Sequence, residues 1–568
     1  IPGMEVMQVT GAEYNVSIRG NNQLNANKLL VLLDGASMYQ DVQGTVLWKA
    51  LPITLPEIAR IEVLKGPSSA LYGFNAYDGV INIITKSPKE TTGMSIQGAG
   101  GELGTVHSAA MFSNSIGIGD VRLVAGYEQN QKWRDNDSLA FRAYKLNGQF
   151  ERIFAGDSKF SLSGNFVENN RFDGPTVGAA IVTHTATNGR VTARFTQPHT
   201  LIQVWWDGRW SDARQTFPAI LNILQIQNTD ERITQEVNTQ TADALIQHDW
   251  DFTDNRLTVG VNYRFNTVSG NFTGSAQSEN RLGLYLQDEW HIHPQVETTA
   301  GVRYDLDTFI NPTISPRLVV LAKATSTQIF RMAFEMAYRP PTLTETHVKH
   351  QVLTNLPPPN PSPPPIPVMG SGNLKPEKIL SFTMGYHGWF LNHRLRARLD
   401  GFYNHLTNLI SPSDFGGVLT FVNSKGHADI WGGEGSLEFL IMPWLEGFTN
   451  VAYQEIDQTI KGENRRAGPK WKVNGGLRGN WPNGLNGEVS LHYYGTVTYP
   501  ITGAFSNFAP FGVSVPNPRV GSYTLLNLRL GYGFWMDRAE AAISVSNALD
   551  DRHKEYPVGD TIGSRVLG

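Results

Sequence analysis

The sequence contains no cysteine. That excludes a disulfide scaffold, a thiolate metal site and a cysteine nucleophile. It also suits a protein that crosses an oxidising compartment, where stray thiols are a liability. Charge is scarce too. Asp, Glu, Lys and Arg together make up 17% of the chain, and the formal net charge is −4. So small an imbalance gives no electrostatic footprint for a nucleic acid, and none is expected as a partner. Long apolar runs are missing. The longest are the size of Leu29-Leu30-Val31-Leu32-Leu33, far short of the ~20 residues of a transmembrane helix. There is no G-x-x-x-x-G-K-[ST] phosphate cradle and no G-x-S-x-G nucleophile motif, so neither a nucleotide site nor an enzyme is expected.

What the sequence does carry is glycine, aromatic residues and alternation. In 256–265, Leu257, Val259, Val261, Tyr263 and Phe265 alternate with Arg256, Thr258, Gly260, Asn262 and Arg264. In 526–535, Leu526, Leu528, Leu530, Tyr532 and Phe534 alternate with Asn527, Arg529, Gly531 and Gly533. Segments 121–129, 159–166, 394–403 and 541–549 follow the same rule. Each reads as a strand with one apolar and one polar face.

Two architectures produce such strands. A soluble sandwich turns the apolar face to a core. A membrane barrel turns it to lipid and lines a lumen with the polar face. Segment length near ten residues, repetition along the chain and aromatics near segment ends favour the barrel. Only a closed barrel lets strands cross a bilayer with every backbone group paired. The stretch from about residue 92 onward holds about 22 spanning strands at ~9–11 residues each plus turns, a size at which barrels are plugged.

Residues 1–90 break this rhythm. The run "NKLLVLLDG" closes on Asp-Gly, and "LPITLPEIARIEVLKGP" predicts a short helix over Pro56–Arg60 leading into a strand. The expected organisation is therefore a small α+β globule over 1–90, placed inside a transmembrane β-barrel over 91–568. Ile1-Pro2-Gly3 and the closing "GSRVLG" read as interior sequence, so a longer natural chain is expected.

The stretch "RIEVLKGPSSALYGFNAYDGVINIITK" (60–86), with Glu57 before it, resembles the plug signature of TonB-dependent outer-membrane receptors. "IPGMEVMQVTGAEYNVSIRG" and "LLVLLDG" are similar to the segments that precede it. In the barrel, "AYRPPTLTET" (337–346) resembles an Arg-Ala-Pro motif, "GNLKPEK" (372–378) the Asn-Leu-Lys-Pro-Glu motif, and "VSNALDDRHKEYP" (545–557) the penultimate strand and turn. The resemblance implies a 22-stranded barrel with an internal plug in the outer membrane of a Gram-negative bacterium. It implies active uptake of a scarce metal chelate, a ferric siderophore first, with haem or cobalamin as alternatives. A plugged barrel that only scaffolds an outer-membrane assembly is the other reading. Its implied partners are TonB, reached through a segment before Ile1, the chelate ligand, and outer-membrane lipid or lipopolysaccharide. No resident cofactor or metal is expected. The chain departs from the family in its last residues, where an aromatic is usual.

The resemblance also implies site residues. Gly66, Pro67, Gly73 and Gly79 shape the plug turns. Basic plug residues meet barrel glutamates in the family, and the matching positions are Arg19 and Lys65 with Glu377 and Glu434. They form either a plug–barrel ionic lock or ordinary solvated lumen charges. Lys65 stands where arginine is common and cannot make the bidentate fork. Ligand recognition is expected at outward plug apices, where Tyr39, Trp48, Phe74 and Tyr77 either stack on a ligand or belong to the plug core. Haem receptors of the family carry an axial histidine between the two barrel motifs. His347 and His350 fall there, either as weak haem ligands or as exposed loop residues, followed by a stiff polyproline segment over 356–368.

Overall fold

The computed structural model describes residues 1–568 apart from 10–13, 23–25, 132–139, 176–180, 217–233, 272, 353–365, 416–417, 462–464, 501–516, 537, 558 and 560. Most of the polyproline segment lies outside the described residues. Among the described residues, 22 antiparallel strands close into one barrel. The wall begins with Gly93–Gly101 and ends with Arg565–Leu567, and these two strands meet at Leu567 and Gly101. Reciprocal bonds between Gly100 and Gly568, 2.7 and 2.9 Å, seal the seam.

Alternation decides which way each side chain points. In the strand Asn255–Ser269, Val261, Tyr263 and Phe265 face outward, while Thr258 and Asn266 are buried in the lumen. Leu528, Leu530, Tyr532 and Phe534 are likewise exposed on Tyr523–Phe534. This apolar skin is lipid-facing surface, which is why so many large hydrophobic side chains lie outside. Strand connections are short at one end, as at 198–199 and 326–327, and longer at the other, as at 340–376. In barrels of this build the short-turn end is periplasmic.

The plug fills the lumen. A four-stranded sheet runs in the order Ala36–Ser37, Leu29–Leu33, Gly79–Thr85, Ile58–Lys65, with the middle pair parallel. The hairpin of Met4–Gln8 and Tyr14–Ile18 packs beside it. Leu29 to Leu33 are all buried, so this five-residue run is the centre of the plug core. Ile58–Lys65 pairs with Gly79–Thr85 in antiparallel register, Val63 opposite Ile81. The helix expected over Pro56–Arg60 is instead a single 3₁₀ turn, Leu55–Glu57, and Ile58 already belongs to the strand. The Glu57 carboxylate accepts from Thr54 N and Thr54 Oγ1, both at 2.8 Å. The cap fixes the turn, but the β-branched residues beyond it favour the strand.

Leu284 sits mid-strand on Gln277–His293 and faces lipid. Leu284→Arg is expected to lower barrel stability by about 2–4 kcal/mol, read as a lower urea midpoint for the heat-modifiable folded band.

Candidate functional site

The site is the surface where plug meets wall. Arg19 ends the strand Tyr14–Ile18 in a left-handed conformation, φ 55°, which turns its side chain toward the barrel. Its Nε donates to Glu434 Oε1 at 3.0 Å, and its guanidinium lies over the Phe402 ring, 4.4 Å from the centroid. Lys65 closes the strand Ile58–Lys65 and donates to the other Glu434 oxygen, with Asp400 at 3.6 Å. Glu434 thus takes two plug cations on separate oxygens, an arrangement that asks no fork of Lys65.

Glu377 is not part of that cluster. It pairs with Lys28 of the plug, accepts from Arg339 Nε at 2.8 Å and from Ile410 N at 2.8 Å, and lies 3.9 Å from Arg466. The expected partners Arg19 and Lys65 are taken by Glu434 on other strands, so Lys28 carries the second contact. Nothing in the sequence marks it beyond its place before a buried strand. Arg339, fully buried, also donates to both Glu345 oxygens at 3.0 Å. Glu345 belongs to the short helix Leu343–His347, which Thr342 caps. That helix touches the plug: Thr344 N and Oγ1 donate to the Val42 carbonyl at 3.0 and 2.7 Å. One chain of contacts therefore joins an outer loop, the wall and the plug.

Burial governs the charges on the plug side. It pushes the Lys28 ammonium down to about 7, with Arg339 adding to the effect and Glu377 opposing it. Burial likewise raises the Asp78 carboxyl to about 8, although Asn21 Nδ2 donates to it at 2.6 Å. Asp41 goes the other way. Burial alone would raise it, but Arg281 at 2.6 Å and Arg264 at 3.1 Å hold it below the usual carboxylate range. A third tie joins Glu5 of the plug to Lys472 at 2.8 Å.

Between the plug and the opposite wall lies a cavity of about 660 Å³, lined in part by Leu32, Phe74, Gln203, Trp205, Tyr285 and Arg303. Its wall residues Glu151, Lys159 and Thr196 place it in the short-turn half.

The plug turns use their residues directly. Gly66 has φ +97°, a backbone shape that side chains rarely adopt. Gly66 N donates to Asp78 O at 2.8 Å and Ser68 N to Ala76 O at 2.9 Å, so Pro67, which has no N–H, falls between two donors. Gly73 caps the helix Ser69–Tyr72. A Cβ on Gly79 would collide with the Leu64 carbonyl.

The four aromatic residues do not form an open outward face. Tyr39 is buried, and its hydroxyl donates to Asn27 O at 2.9 Å. Burial pushes that phenol above its ordinary range. Tyr77 is fully buried among Ala337, Ile379, Phe402 and Leu406 of the wall. Phe74 lies under Arg281, and Trp48 is half-buried against the plug core. These side chains fill the plug and its seam because the lumen leaves few other apolar surfaces to pack on. His347 stacks on Phe309, 4.6 Å between centroids, and its Nδ1 lies 2.7 Å from Thr346 Oγ1. His350 lies on the strand Lys349–Val352, with its side chain outside the described residues. Among the described residues no group of three His, Cys, Asp or Glu side chains is arranged to hold a metal ion.

The family models for the TonB-dependent receptor plug domain and the TonB dependent receptor-like β-barrel match residues 1–80 and 111–548. The chain belongs to the TonB-dependent receptors, plugged barrels of the Gram-negative outer membrane. It is 23% identical to the iron-regulated outer membrane virulence protein of Vibrio cholerae, over 98% of this chain and 86% of that one. It is 33% identical to the vitamin B12 transporter BtuB of Vibrio vulnificus, over 28% of this chain and 25% of BtuB. The crystal structure of the siderophore receptor PirA from Acinetobacter baumannii superposes with a TM-score of 0.77 at 17% identity, covering 100% of this chain and 94% of PirA.

Two outcomes follow from the charges. Glu434→Ala strands Arg19 and Lys65 against the wall and is expected to weaken plug docking by about 3–5 kcal/mol. Cells carrying it should become sensitive to large antibiotics, and the plug should become accessible to protease. Asp78 holds its proton far above the unfolded carboxyl, so stability is full below the ordinary value near 3.8 and falls as pH rises toward 8. Asp78→Asn is expected to flatten that fall in urea titrations between those pH values.

Proposed function

We propose that this protein imports ferric siderophores actively, energised through TonB. The observation that carries the active character is the filled lumen. A plug tied to the wall by buried pairs at Glu434, Glu377 and Lys472 supports movement driven by an external input over passive diffusion. The cargo class rests on the relatives, an iron-regulated outer-membrane protein along nearly the whole chain and a siderophore receptor of the same fold.

In this reading Arg19, Lys65, Lys28, Glu377 and Glu434 form a lock that holds the plug at rest and yields when TonB pulls. Breaking a buried pair is costly, and re-forming it returns the plug to one position. TonB engages a segment expected before Ile1, and outer-membrane lipid surrounds the apolar skin. The protein binds and moves its ligand without a chemical step. Cobalamin is the second cargo, favoured by the stretch shared with BtuB. Haem, with His347 and His350 near the outer face, is the third.

The test is uptake by a strain lacking its own receptors and expressing the full natural chain. Cells are offered iron-labelled siderophores, labelled cobalamin or haem, with and without TonB. Siderophore uptake that falls to background without TonB is the expected result. Uptake of cobalamin or haem alone overturns the cargo assignment. No uptake of any, in cells with correctly folded protein, replaces the importer with a structural barrel.

A further inference from the structure

The cavity between plug and wall has a roof. Eight successive wall strands bound it, from Phe141–Ile153 to Val296–Asp307. Lys159, Thr196 and Leu201 line it at the short-turn end, while Arg264 and Arg281 line it near the outer ends of Asn255–Ser269 and Gln277–His293. Asp41 of the plug takes both guanidinium groups, Arg281 at 2.6 Å and Arg264 at 3.1 Å. It does not line the cavity itself, so it grips them from the outer side. Its neighbour Val42 is held from further out by Thr344 Oγ1 at 2.7 Å. Gly44 N donates to Gln40 O at 2.7 Å and closes this stretch into a turn. The cavity thus runs up from the periplasmic rim and stops at one plug turn, Gln40–Gly44.

The contact at Asp41 can part without stranding a charge on the wall. A buried ion pair is costly to break chiefly because one partner is left alone. Here Arg264 keeps Asp243 at 2.9 Å, and Arg281 keeps Glu279 at 2.9 Å and Asp307 at 3.0 Å. On the plug, Asn75 Nδ2 still donates to Asp41 at 3.1 Å. On the other arc the same displacement strands Glu434, whose ion-pair partners Arg19 and Lys65 both belong to the plug. The Asp41 side therefore yields at the lower cost.

The walls suit passage more than retention. Ser161, Ser163, Thr192 and Gln203 face the cavity, and their hydroxyl and amide groups can replace the hydration of a polar solute. The charges beside them are already paired, Lys159 with Glu151 and Arg303 with Asp305. Many weak contacts let a solute enter and also let it leave. The volume of about 660 Å³ lies in the range of pockets that hold drug-sized molecules.

We propose that the imported chelate crosses the lumen through this cavity, and that the turn Gln40–Gly44, latched by Asp41, is its gate. The cargo this admits is a compact polar chelate no larger than the cavity. The proposal rests on the import reading above and adds the path to it. The plug leaves the Arg264–Arg281 side first, ahead of any release at Glu434.

The experiment uses porin-deficient cells expressing the full natural chain with Leu245→Cys, in the cavity wall, or Ser436→Cys, on the lumen side of the Glu434 strand. The sequence has no cysteine, so each variant adds one thiol to it. A maleimide of cargo size is added outside together with a ferric siderophore, with and without TonB. Labelling, siderophore binding and uptake are measured, each variant against its own unlabelled cells. Leu245→Cys is expected to label only with TonB, and Ser436→Cys in neither condition. Labelled Leu245→Cys cells should bind siderophore normally while uptake falls. Adding Asp41→Ala should speed Leu245→Cys labelling without TonB by about tenfold, as the open population grows. If Asp41→Ala does not fold, Asp41→Asn, which keeps the Asn75 contact, decides. Labelling of Ser436→Cys in place of Leu245→Cys overturns the path, as does full uptake through labelled Leu245→Cys. Equal labelling of Leu245→Cys with and without TonB, or no gain from loss of Asp41, overturns the gate. No siderophore uptake in untreated wild-type cells fails the import reading itself, and the path falls with it.

Discussion

In hydrocarbon no backbone N–H or C=O can be left unpaired, and a sheet in a membrane therefore has to close on itself. The bonds between Gly100 and Gly568 are where this chain meets that demand. Closure then fixes the rest. It gives every strand an outside and an inside, so Tyr263 goes to lipid and Asn266 to the lumen. With this many strands the ring is wide enough to leak, and the plug is the answer to the hole that closure creates.

A plug inside a polar lumen cannot be held by a greasy interface alone. Its own apolar core is spent on Leu29–Leu33 and their neighbours. The seam is held by charge instead. Arg19 and Lys65 converge on Glu434, Lys28 on Glu377, Lys472 on Glu5 and two arginines on Asp41. Such pairs offset their desolvation only when the geometry is good, so they define one seated position and weaken sharply on displacement. The ties at Glu434, Glu377 and Lys472 sit on alternate strands of one arc of the wall, while the cavity lies against the opposite side of the ring.

The cost of burial explains where the aromatic residues went. Tyr39 and Tyr77 read from the sequence either as ligand-stacking residues at outward plug apices or as plug core. In the fold both are buried, one hydrogen-bonded to Asn27 and the other pressed on the wall. Lys28 shows the reverse problem. It looks like a stray charge before an apolar strand, and only the approach of Glu377, far along the chain, gives it a role.

Much was legible in the sequence by itself. Alternation is a local property with a period of two, so strand faces, lipid exposure and an approximate strand count can be read from single segments. The Gly66-Pro67 turn is legible for the same reason, since the positive φ of Gly66 is a local demand of the backbone, whereas Gly79 is required by the Leu64 carbonyl on the paired strand. The partners of the charges were legible only through the family resemblance, which set Arg19 and Lys65 against Glu377 and Glu434; Glu434 takes both plug cations, and Glu377 goes to Lys28 instead. Arg19 and Glu434, or Lys28 and Glu377, are hundreds of residues apart, and which lysine meets which glutamate depends on the register of distant strands and the rotation of the plug in the ring. Local pattern decides what each residue faces, and closure of the ring decides whom it meets.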